Sequence, residues 1–172
     1  MNTFLKNLFD YNHRCNQALI RTMLDHENIL SAKSLSLFSH ILNAQHIWNC
    51  KIENVIPFYS PWDVRRLVKM KQDDRTNYFD SLLIVDEYDL NKTIKCKTTR
   101  GDVFTSSVQD ILFNIINHST YHRGQIATEF RRTGIEPLLT DYVFFNMKTI
   151  QSHYEIEHSC NKTLPTDEII EQ

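Results

Sequence analysis

Eight histidines in 172 residues are the feature of this chain most able to do chemistry, because neutral imidazole is the commonest side-chain ligand for metal ions. His118 and His122 stand four apart in the run NHSTYHRGQI. On a helix that spacing sets two side chains one turn apart on one face, a standard way of presenting two nitrogens to one ion. The competing reading is a pair of partly buried, hydrogen-bonded histidines without an ion. No glutamate follows the first histidine, so the zinc-protease pattern H-E-x-x-H, with its general base, does not apply. A third ligand has to come from another helix, and the segment around Leu37 to Trp48 offers His40 and His46. With Leu37, Ile41, Ala44 and Trp48 as the apolar centre, His40 lies about 70° from it and His46 about 170°. His40 therefore faces the core and is the expected third ligand, while His46 faces solvent and is the second choice. His13, His26, His153 and His158 lack partners at helical spacing and read as surface or singly hydrogen-bonded residues.

The neighbours of these ligands carry expectations of their own. Gln125 or Asn117, or Asn16 from the first helix, could hydrogen-bond the second nitrogen of a ligand and fix its tautomer. Arg123 reads as a surface ion-pair partner, or else as a group that orients an anionic substrate. Trp48 reads as core packing rather than as a substrate platform. Gly124 in mid-helix costs about 1 kcal/mol relative to alanine, which calls for a reason such as close helix approach. No acidic residue falls on the metal-facing edges, and Glu129 is two turns past His122. Three neutral imidazoles then leave a divalent ion its full charge and an open position, the arrangement of a catalytic site. Such an ion acidifies a bound water or thiol, the first route giving a hydrolase and the second an S-transferase. Imidazole suits zinc, nickel, iron and copper; zinc or nickel is expected, with iron next. The reading from a different class is a non-catalytic metal-binding or stress-linked structural protein, whose site would be closed by a fourth protein ligand.

The elements that must position these residues are mostly helices. Phe4, Leu5, Leu8, Tyr11, Cys15, Leu19 and Met23 recur at steps of three and four, predicting a helix from about Thr3 to His26. Ser31 or Ser34 caps a second helix running to about Val55 or Ile56, where Pro57 and Pro61 end it. A polar, basic loop is expected from Pro57 to Arg75, followed by a short helix to about Asp86. The β-branched alternation between Asn91 and Ser107 reads as a small hairpin or two extended strands. The longest helix starts after Ser106 or Ser107 and stops at Gly134, with Arg131 and Arg132 complementing its negative end. The fold expected is all-α: a four-helix bundle over residues 1–150 with a polar tail over 151–172.

Composition narrows the function classes. A net charge of −2 carries no basic excess that would favour phosphate backbones, so nucleic acid is not an expected partner. Lys6, Asp10 and Arg14 interrupt any amino-terminal apolar segment, and no apolar run approaches the roughly 18 residues of a membrane helix. A cytoplasmic protein without membrane contact is the expectation. Cys15, Cys50, Cys96 and Cys160 are scattered, with no C-x-x-C pair, and read as reduced thiols. A homodimer is expected for a bundle of this size, although no heptad seam marks an interface.

SLFSHILNAQHIW on the second helix, together with NHSTYHRGQI on the last, resembles the DinB-like family of metalloproteins, which is distinct from the polymerase sharing that name. DYNHRCNQALI is similar to the family's first-helix pattern through Tyr11, Asn12 and Asn16, departing from it at Arg14 and Cys15. The resemblance extends to about Lys148, and H-x-x-x-H-R-G-Q is its most specific part. It implies an up-down-down-up bundle with a three-histidine metal site, and places the family's first ligand at His40. It also implies thiol chemistry, since some members are similar to S-transferases and isomerases that use bacillithiol, mycothiol or glutathione. A small-molecule thiol and an electrophile are thus the expected partners.

Overall fold

The structure is a computed structural model that describes residues 2–97 and 101–145. Helix α1 (Asn2–Asp25) buries Leu5, Leu8, Phe9, Leu19, Ile20 and Met23, the three-and-four spacing of an amphipathic helix. The Ser31 side chain accepts the Ser34 N–H at 3.0 Å and caps α2 (Ala32–Glu53). α2 ends slightly before the expected Val55 because Asn54 turns left-handed at φ 59°, a conformation asparagine tolerates better than most residues. The next helix, α3 (Leu67–Glu87), begins eight residues before the Arg75 start expected from the sequence. Its inward positions are Leu67, Met70, Asp74, Asn77, Ser81 and Ile84. Three of these are polar, so the segment has helical spacing without a hydrophobic period.

Strands β1 (Thr93–Lys97) and β2 (Val103–Ser107) form the expected hairpin, antiparallel, with Thr93 opposite Ser107 and Lys97 opposite Val103. The last strand residue also starts the longest helix, α4 (Val108–Thr133): the Ser107 hydroxyl accepts the Asp110 N–H at 3.1 Å. At the other end Gly134 adopts φ 79° and the Ile135 N–H reaches back to the Phe130 carbonyl at 2.9 Å, the glycine-closed helix end the sequence predicts. Residues up to Leu139 form one compact unit, and Thr140 opens a second, of which the short α5 (Tyr142–Phe145) is described. The expected polar tail over 151–172, including His153, His158 and Cys160, lies outside the described residues.

Side-chain pairs fix the helix directions. Asn2 reaches the Val85 carbonyl while Asn16 reaches Asp74, so α1 and α3 are antiparallel. Asn77 bonds the Leu42 carbonyl and Ser81 bonds Asn49, so α2 and α3 are parallel. Lys33 pairs with Glu129 while His40 meets His118, so α2 and α4 are antiparallel. The result is the up-down-down-up bundle. α1 packs on α3 and, less extensively, on α4, whereas α2 packs on α4 and α3. α1 and α2, neighbours in sequence, thus stand at diagonal corners.

An apolar cluster fills one end of the bundle, with Ile20 and Met23 of α1, Phe38 and Ile41 of α2, Met70 of α3, and Ile126 and Phe130 of α4. Next to it lies a buried polar belt. Asp74, 1% exposed, accepts from Asn16 through Oδ1 at 2.8 Å and from Gln17 through Oδ2 at 2.7 Å, with His13 Nδ1 2.6 Å from the same Oδ2. Gln45 and Asn49 bond the Asn77 carbonyl from α2. No helix of the described residues is long and apolar enough to cross a membrane.

Candidate metal centre

His40 from α2 and His118 and His122 from α4 converge, with ligand atoms of all three within 4.8 Å of one another. His40 and His122 are buried and His118 is half-buried. The Nε2 atoms of His40 and His118 stand 3.1 Å apart. Two zinc–nitrogen bonds of about 2.0–2.1 Å at a tetrahedral angle separate their nitrogens by about 3.3 Å, close to that spacing. The far side of two rings is also occupied. His40 Nδ1 lies 2.7 Å from the Pro61 carbonyl oxygen, and His122 Nδ1 lies 2.8 Å from Gln125 Oε1. Both oxygens only accept, so each Nδ1 carries the proton and each Nε2 keeps a lone pair for an ion. Among the described residues no carboxylate or thiol joins the group. Donor type, spacing and tautomer all fit a divalent ion with a coordination position left open.

Burial favours the neutral form of His118 and His40. Burial, reinforced by His122 and His40, lowers the pKa of His118 to about 4. Burial likewise lowers His40, opposed by the Pro61 carbonyl and assisted by His122. Neutral imidazole is the ligating form, so protons compete weakly for these nitrogens near pH 7.

The segment between α2 and α3 forms part of the site. Trp62 stacks flat on His40, ring centroids 3.8 Å apart and planes 3° from parallel. Asn43 holds this segment by donating to the Asp63 carbonyl at 2.8 Å, and the Arg65 N–H donates to Ser39 Oγ at 3.0 Å. Beside His40 and His118 opens a cavity of about 560 Å³, bounded by Ala44, Ile47 and Trp48 of α2, by Pro57 and Pro61, and by Phe104 of the hairpin. Sequence reasoning gave no role at the site to Pro61, Trp62 or the hairpin. A proline–tryptophan pair in a loop was their one visible signal, because irregular backbone has no period to read.

Several neighbours depart from expectation. His46 does not join the trio; its Nε2 accepts the Phe58 N–H at 3.1 Å, and it is half-buried rather than solvent-facing. Trp48 lines the cavity instead of the core. Arg123 is 3% exposed, so it is neither a surface partner nor a substrate group: it binds Asn12, the Tyr11 hydroxyl at 3.0 Å and Thr120 at 2.8 Å, tying α4 to α1. Gly124 serves no close approach, since a Cβ there would meet nothing within 4 Å. Asn16 goes to Asp74 and Asn117 is exposed, which leaves Gln125 as the tautomer-fixing residue for His122. Glu129 pairs with Lys33 and Arg132. His26 bonds the Thr22 carbonyl, and His13 stacks on Tyr78 beside Asp74.

Fold and site together define a helical bundle with an open three-histidine pocket between two antiparallel helices. The chain belongs to the DinB family, whose sequence profile matches residues 1–157. A stretch of 68 residues is 29% identical to Protein DinB of Bacillus subtilis (strain 168), spanning 40% of this chain and 40% of that relative.

Proposed function

We propose that His40, His118 and His122 hold one divalent ion, zinc or nickel first and iron next, in a site that transfers a small-molecule thiol to an electrophile. The observation that carries this reading is the convergence of ligand atoms from His40, His118 and His122 beside a cavity large enough for a small organic ligand. A bound ion supplies a Lewis acid that lowers the pKa of a thiol at the open position. The protein's own groups do the rest. Pro61 and Gln125 hold two imidazoles in the ligating tautomer, and the apolar wall from Ile47, Trp48 and Phe104 positions the electrophile and excludes water. In the transfer the thiol proton leaves to solvent, a sulfur–carbon bond forms, and the leaving group departs with its electron pair.

Metal analysis after reconstitution with zinc, nickel or iron and dialysis tests the first half, comparing wild type with His118→Ala and His122→Ala. Wild type should keep about one ion per chain and each variant should lose most of it; a wild type that keeps none defeats the reading. A conjugation assay with a chloronitrobenzene tests the second half, and metal retained without thiol consumption assigns the site to a non-catalytic role.

A further inference from the structure

Resting on the trio as the reaction site, we propose that its organic substrate is an apolar molecule with an anionic group at the end remote from the histidines, held by Lys51 and Lys97. Both lysines line the cavity beside His40 and His118, one from the last turn of α2 and the other from the end of β1. Among the described residues neither ammonium has an ion-pair or hydrogen-bond partner. No carboxylate lines the cavity to balance them. Ile47, Trp48 and Phe104 favour an apolar body there by removing it from water. Cys96 belongs to the same wall as a neutral thiol, buried to 2% exposure, and adds no charge.

The helix sets the length. His40 and Lys51 are eleven residues apart on α2, about 16 Å of axial rise, and a lysine side chain leans back toward the helix amino terminus. A ligand of about ten ångströms therefore spans from the histidines to the Lys51 ammonium, with Lys97 lining the same cavity. A cationic analogue is repelled at that end, and a neutral one gains only the apolar contact. Partly exposed pairs are individually weak, so two of them give a preference of about tenfold over the neutral analogue.

Calorimetric titration of the full chain with octanoate, octanol and octylammonium tests this, using metal-free and zinc-loaded protein. Octanoate should bind both forms about tenfold more tightly than octanol, and octylammonium most weakly. The double variant Lys51→Met, Lys97→Met should lose the preference while still binding octanol, which also shows that it has folded. Equal binding of octanoate and octanol by wild type, absence of binding by all three, or an undiminished preference in the double variant overturns the proposal. So does a preference seen only with zinc and abolished by His118→Ala, since the ion would then be reading the anion. If the chain retains no metal, the octanoate preference is still expected, so the two readings fail separately.

Discussion

His118 is held neutral by its surroundings, and this has a consequence for stability. Its pKa is pushed down to about 4 in the folded, metal-free protein, against about 6.5 in an unfolded chain. As pH falls the unfolded state takes up the proton first. The stability contributed by the neutral ring is therefore complete above about pH 6.5 and is lost as pH falls from there towards about 4. Urea midpoints of metal-free protein should decline across that window, and His118→Gln should flatten the decline; parallel curves would show that this ring is not responsible. Much at this scale was legible in advance. An i, i+4 pair and a helical-face argument suffice to bring His40, His118 and His122 together. The stacking of Trp62 and the bond from Pro61 were not legible, because they depend on the path of a loop.

Helix boundaries were readable wherever a cap made them. Ser107 and Gly134 bracket α4 as expected, and Ser31 opens α2. α3 was only partly readable, since Asp74, Asn77 and Ser81 occupy positions where a hydrophobic pattern needs apolar residues. The glycine within α4 and the one that caps it test the same logic energetically. Gly124 lies in mid-helix with free space around its missing Cβ, whereas Gly134 holds φ 79°. Gly124→Ala should raise unfolding free energy by about 0.5–1 kcal/mol, and Gly134→Ala should lower it by about 1 kcal/mol. Chemical denaturation of both variants decides; destabilisation by Gly124→Ala would mean that the position serves a partner outside this chain.

The whole bundle is held in register by polar pairs as well as by its apolar cluster. Asp74 is the centre of the belt, fully buried and joined by Asn16, Gln17 and His13 from α1. Asp74→Ala strands those groups without an acceptor and should cost about 3 kcal/mol in thermal or chemical unfolding. A loss within about 0.5 kcal/mol would show that water replaces the carboxylate. Such pairings join residues on different helices as far as 58 positions apart, as Asn16 and Asp74 are, which explains why the fold class was legible and the belt was not: periodicity reports which side of a helix is inward, but not which inward polar groups meet.

The diagonal placement of α1 and α2 bears on how the protein is made. These helices are made before α3 and α4, yet each has its principal interfaces with them. The nascent pair therefore has no native surface on which to close, and its apolar stripes wait, exposed, for the second half of the chain. His40 waits with them, 78 residues ahead of His118, so the pocket can assemble only once α4 has been made. A chain interrupted before α4 lacks His118 and His122 as well as Ile126 and Phe130 of the apolar cluster, and so has neither a closed core nor a site.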